Sequence, residues 1–161
     1  MKVSLNLLLE CTPDSAWRAL RSPAVFTAVS SPFTTFTSLE PGGFPTLWAA
    51  GDHPTAVKAF GLVPIGTQVI RISYPDCADR PAGTRAVHDT GFGSSGILAW
   101  VHNWHHIMEV SPDFGERTRY RDTLTVRAGL ATPALWVLYW SFWQWRALRI
   151  RQLARGWNAA A

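Results

Sequence analysis

The chain has 161 residues, of which 47% are hydrophobic and 16% charged, and a formal net charge of +4. That length points to a single domain over 1–161 with a real core, and the balance of residues excludes a disordered chain. The positive charge is nearly all arginine, Lys2 and Lys58 being the only lysines, and it is too mild for a dedicated nucleic-acid binder. The opening MKVSLNLLLECTPDSAW has a leucine cluster interrupted by Asn6 and Glu10, with no small-residue cleavage site after it, so it reads as a strand over 2–10 and not as an export signal. Cys11 and Cys77 form no C-x-x-C pair and read as reduced thiols of a cytoplasmic protein. Thr12 as N-cap, Pro13 at the first helical position and Asp14 in the first turn predict a helix over roughly 12–21. Ser22-Pro23 ends it, and a second short helix over 23–29 follows.

From residue 33 to 127 the apolar period changes to two, with Gly and Pro at strand-like intervals. Strands are predicted at 33–40, 46–50, 55–61, 67–74, 84–91, 97–110 and 116–127, joined by turns such as PGG, DHP, YPDCADRPAG and GFGSSG, and therefore antiparallel. Thr132-Pro133 opens the last helix, read to Trp157, about 39 Å long at 1.5 Å per residue. A single antiparallel sheet has one apolar face to cover, and this helix is the only element large enough to cover it.

In the strand 116–127, Thr118, Tyr120, Asp122, Leu124 and Val126 share one face, and Arg117, Arg119, Arg121 and Arg127 lie on the other. The arginine face meets solvent, so Tyr120 and Asp122 point inward. An inward carboxylate is costly unless paired. Asp122 is therefore either satisfied by backbone amides or a buried arginine, or is a polar handle in a pocket. Alternation through AWVHNWHHIME puts Trp100, His102, Trp104, His106 and Met108 on one face, a pocket wall of large apolar groups with a few polar atoms. Two histidines two apart begin a metal site only if more ligands follow at diagnostic spacing; none do, so no metal is expected and the imidazoles read as neutral and hydrogen-bonded. HDTGFGSSG lacks the Lys-Ser/Thr of a phosphate loop and joins two strands, as a hairpin does. Trp48 and Asp52, beside AAGDHP, fit a pocket mouth or an ordinary loop.

This order of elements resembles the START/birch-pollen-allergen-like (Bet v1-like) superfamily, SRPBCC, which includes polyketide cyclase/dehydrase and lipid-transport proteins. The resemblance covers essentially the whole chain and rests on TPDSAWRAL after the first strand, FGLVPIG, HDTGFG, the W-H-H of 104–106, TRYRDTLTVRAG at 118–129 and the TP opening the last helix. It implies a helix-grip α+β fold: a curved antiparallel sheet of about six to seven strands around a long C-terminal helix, with two short helices after the first strand and a hydrophobic pocket between sheet and helix. It implies no single activity and no shared catalytic motif.

The last helix, TPALWVLYWSFWQWRALRIRQLARGW, is too briefly apolar for a transmembrane segment, since Ser141 and Gln144 lie inside the run and Arg146, Arg149 and Arg151 end it. Helical spacing gives one face of Leu135, Leu138, Tyr139, Phe142, Ile150, Leu153 and Trp157, suited to the sheet. Trp136, Trp140 and Trp143 form a second stripe, read as a homodimer surface, with a loop or a membrane interface as the rivals. The arginines read as a solvated basic end. The expected function is to bind or carry a small hydrophobic ligand, without a cofactor, in a pocket built from Trp48, Trp100, His102, Trp104, His106, Tyr120, Asp122, Leu135, Leu138, Tyr139 and Phe142. The alternative is a cyclase or dehydratase with His106 or His102 as base and Asp122 setting its tautomer.

Overall fold

The computed structural model describes residues 1–129 and 132–159. In chain order the elements are β1 (Lys2–Leu9), α1 (Pro13–Leu20), α2 (Pro23–Ser30), β2 (Thr34–Ser38), β3 (Gly51–Ala59), β4 (Val63–Ser73), β5 (Arg85–Asp89), the two-residue β6 (Phe92–Gly93), a 3-10 turn (Gly96–Trp100), β7 (Asn103–Asp113), β8 (Arg117–Arg127) and α3 (Thr132–Trp157). The strands form one antiparallel sheet in the order β1-β8-β7-β5-β4-β3-β2, with β6 on β4. This is the expected helix-grip α+β fold, with eight strands in place of six or seven.

The local signals act as read. Thr12 accepts from the Ser15 amide at 3.3 Å, Ser22 accepts from Val25 at 3.4 Å, and each cap is followed by proline. Strand β1 alternates strictly, burying Val3, Leu5, Leu7 and Leu9, and β8 buries Thr118, Tyr120, Asp122, Leu124 and Val126. Both strands turn these faces to α3.

Two expected strands differ. Residues 46–50 form no strand: Trp48 is turned into the core and its backbone is tied to Arg21 and Tyr74. The strand expected over 97–110 begins only at Asn103, because residues 93–100 fold over the start of β4. There Gly66 and Gly96 meet so closely that a Cβ on Gly96 would lie 2.4 Å from the Ile65 carbonyl oxygen. A side chain has no room at that crossing.

The long helix keeps much of the expected face, with Ile150 buried and Tyr139, Phe142, Leu153 and Trp157 packed on the core, but it also buries residues outside that face. Trp143, Arg146, Ala147, Ile150 and Ala154 are buried against the sheet, while Leu138 is exposed and Leu135, Tyr139 and Phe142 are half-buried. Ala147 and Ala154 are small enough to let the helix come close to the sheet. Arg146 and Trp143 reach a polar group beneath it, described next.

A buried polar cluster beside a small cavity

Asp122 is fully buried at the middle of β8 and accepts four hydrogen bonds. His106 Nε2 lies 2.8 Å from Oδ1, Trp143 Nε1–H donates to Oδ1 at 2.9 Å, Tyr120 O–H donates to Oδ2 at 2.7 Å and Arg146 Nε–H donates to Oδ2 at 2.8 Å. The donors come from β7, β8 and α3, so the carboxylate ties the helix to the sheet. Arg146 Nη2 also reaches the Met108 sulfur at 3.2 Å, and its guanidinium lies over the Trp143 ring. Of the open readings of Asp122, pairing with a buried arginine is the one realised; the expected solvated basic end begins only after Arg146.

Burial pushes the Asp122 carboxyl upward, but His106, Arg146 and the donated hydrogen bonds outweigh it and hold the group below the usual carboxylate range. Burial, reinforced by the Asp122 charge, pushes Tyr120 well above the ordinary phenol value, so it stays a donor. Burial opposes the Arg146 charge, and the neighbouring Tyr120 and Asp122 oxygens more than offset it. An ionised carboxylate only accepts, so His106 donates to it from Nε2, which leaves Nδ1 as the ring's other polar atom. Asp122 and Arg146 together form a neutral pair.

A second carboxylate, Asp89 at the end of β5, lies on the other side of His106. It accepts from the Arg71 and Gly91 amides at 3.0 Å each and from Trp104 Nε1–H at 2.9 Å. Burial raises its pKa against the lowering effect of His106 and these donors. The sequence reading missed Asp89, although alternation through β5 sets it on the inward face with Val87.

Between sheet and helices lies a cavity of about 30 Å³, room for about two waters, lined by apolar groups that include Val25, Phe26, Trp48 and Met108, with Asp89, His106 and Arg146 as polar atoms. A space of about 20 Å³, bounded by Asp89, Trp104, Val101 and Tyr139, lies on the other side of Asp89. Burial pushes the Tyr139 phenol up to about 12. Among the described residues, His106 Nδ1 and Arg146 Nη1 have no hydrogen-bond partner, and neither is a sealed, unpartnered atom.

Of the residues expected to share one pocket, the structure gathers Trp48, Trp104, His106, Tyr120, Asp122 and Tyr139 in or just beneath these spaces. It separates others. Trp100 sits in the 3-10 turn and is 64% exposed, His102 precedes β7 and is exposed, and Leu138 is 63% exposed; none shares the Trp104–His106 face. Phe142 packs on Phe33 and Trp143, and Leu135 is half-buried outside both cavities. The tryptophan stripe is also divided: Trp143 is buried on Asp122, while Trp136 and Trp140 are 43% and 46% exposed. A dimer surface made of all three indoles is therefore ruled out by the position of Trp143. Among the described residues no helix is long and apolar enough to cross a membrane.

No protein-family model matches the chain, and no curated protein matches it by sequence. Solved structures do. The Zhui aromatase/cyclase of a Streptomyces species is similar at a TM-score of 0.64 and 14% identity, covering 97% of this chain and 94% of that one. A hypothetical protein of Helicobacter pylori is similar at a TM-score of 0.67 and 10% identity, over 96% and 88% of the two chains. A Chromobacterium violaceum protein is similar at 0.62 and 13%, over 95% and 96%. These likenesses establish the fold: the chain has the helix-grip architecture of the SRPBCC, Bet v1-like proteins.

Proposed function

We propose that the protein binds a small, neutral hydrophobic molecule between the sheet and α3, with the polar end of the ligand on His106 and Arg146. The observation that carries this is the set of polar groups on a mainly apolar cavity: beside Asp89 stand His106, whose Nδ1 has no partner among the described residues, and the Arg146 guanidinium, which still has N–H groups to donate. Such a pair suits a carbonyl or hydroxyl group. A carboxylate ligand is disfavoured, because the Arg146 charge is already matched by Asp122 and a second anion would be buried without a partner. The cavity is small, so a ligand of several carbons enters by displacing the half-buried walls Val25, Phe26 and Trp157.

The hydrogen bond between His106 and Asp122 supports a second reading, a cyclase- or dehydratase-type enzyme, in keeping with the aromatase/cyclase among the similar structures. In that reading Asp122 holds the imidazole with Nδ1 free, Nδ1 takes a proton from the carbon beside a ligand carbonyl, and Arg146 N–H steadies the carbonyl oxygen. His102, on the surface, has no part in it.

Calorimetric titration with 2-acetylnaphthalene and 2-naphthoate tests the first reading, since the two differ in a neutral ketone against a carboxylate. The ketone is expected to bind on the order of tenfold more tightly, and His106→Leu to weaken its binding. Equal or tighter binding of the carboxylate rejects the neutral-ligand reading. Recovery of a co-purified ligand unchanged after incubation favours the carrier, and its conversion favours the enzyme.

A further inference from the structure

The antiparallel order places the starts of β1, β2, β4 and β7 and the ends of β3, β5 and β8 at one end of the molecule, where α3 also begins. Three stretches of the sequence contain no Asp, Glu, Lys or Arg, 59–70, 90–108 and 128–145, and their described residues meet there. Their tips carry Phe60, Leu62, Ile97, Trp100, Trp136 and Leu138, which are 43–80% exposed. Exposed apolar groups gathered this way on separate tips mark a contact surface.

The distribution of charge identifies what the surface meets. Of the eleven acidic residues, Asp89 and Asp122 are buried, Glu109 lies mid-sheet beside Arg80, and the other eight sit at the opposite end, where β1, β2, β4 and β7 finish and β3 and β8 begin. The exposed charges bordering the apolar end are basic. They are Lys2 at the start of β1, Lys58 beside the Phe60–Leu62 hairpin and Arg127 at the end of β8. A second copy of the chain apposed by this end would bring those three cations against themselves with no carboxylate to pair them. A bilayer with anionic headgroups supplies both an apolar medium for the tips and phosphates for the cations. Tryptophan is the side chain enriched at that boundary.

We propose that this end docks on the surface of an anionic lipid bilayer. The hairpin tip, the 3-10 turn and the first turns of α3 enter the headgroup–acyl boundary, and Lys2, Lys58 and Arg127 face the phosphates. The docking surface stands apart from the identity of any ligand in the cavity and is read without one.

Flotation with phosphatidylcholine–phosphatidylglycerol vesicles tests it on the whole chain. The parent is expected to float with the vesicles, and Leu62→Glu with Trp100→Glu to reduce its partition on the order of tenfold or more. Lys58→Gln with Arg127→Gln should weaken flotation with these vesicles while leaving any binding to pure phosphatidylcholine unchanged. Phe114→Glu, at the opposite end and 87% exposed, should float like the parent. All these side chains are exposed, so folding is retained, and circular dichroism checks it. The proposal is overturned if the parent stays unbound, if Leu62→Glu with Trp100→Glu floats like the parent, or if sedimentation finds a dimer of the parent that the same pair dissociates.

Discussion

Asp122→Ala is expected to destabilise the protein by about 3–5 kcal/mol, read as a shift in the urea unfolding midpoint. The substitution removes the acceptor of four donors at once and leaves the Arg146 guanidinium, itself 4% exposed, charged in the core with no anion and only the Met108 sulfur and the Tyr120 hydroxyl beside it. The stranded cation is the larger part of that loss, which the double variant Asp122→Ala with Arg146→Met separates. It should be more stable than Asp122→Ala alone, because replacing a buried pair by apolar groups costs less than breaking it. If Asp122→Ala unfolds within about 1 kcal/mol of the parent, the cluster is not what holds α3 to the sheet. The same group shapes the acid limb of stability. Its folded pKa lies below the ordinary value of 3.8, so the unfolded chain takes up the proton first as pH falls. The contribution is complete above that ordinary value and drains away as the pH drops towards the folded one. The parent should therefore lose stability below about pH 4 more steeply than Asp122→Asn does. Asp89 acts in the opposite sense: its raised folded pKa gives a contribution that is full in acid and lost as pH rises through the folded value.

What the sequence made legible was local. The caps at Thr12 and Ser22, the span of the last helix and the inward face of β8 all follow from residues within a few positions of one another, and the structure agrees with each. What it hid was long-range. Arg146 follows an apolar run and carries a charge, which reads as the point where a helix meets solvent; its partner lies on β8, outside any pattern the helix displays. Alternation placed Trp100 and His102 with His106 because the crossing at Gly66 and Gly96, which interrupts the strand, depends on contact with β4. Trp48 sits in a stretch whose apolar residues suggested a strand, but contact with Phe26, Phe44 and His53 fixes it as a plug over the cavity.

The three tryptophans of α3 show the same limit and allow a direct test of how the helix is turned. Trp136, Trp140 and Trp143 recur at i, i+4 and i+7, so by spacing alone they are equivalent. The structure makes them unequal: Trp143 is 2% exposed, donates to Asp122 and packs 5.4 Å from the His106 ring, while the other two are nearly half exposed. Trp143→Ala is therefore expected to cost about 3–5 kcal/mol, as truncation of a buried indole does. Trp136→Ala and Trp140→Ala should each cost less than about 1 kcal/mol, since much of their surface is already wet. Trp143→Phe isolates the hydrogen bond: it keeps most of the apolar bulk and removes a donor to a charged acceptor, a loss of about 1.5–3 kcal/mol. Chemical denaturation of the four variants under one condition decides the matter. Equal losses at all three tryptophans would mean that the helix presents the indole stripe as one face after all, and that Arg146 and Ala147 do not lie against the sheet. A loss concentrated at Trp143 fixes the rotation of the helix, and with it the direction from which Arg146 reaches both the Asp122 carboxylate and the cavity.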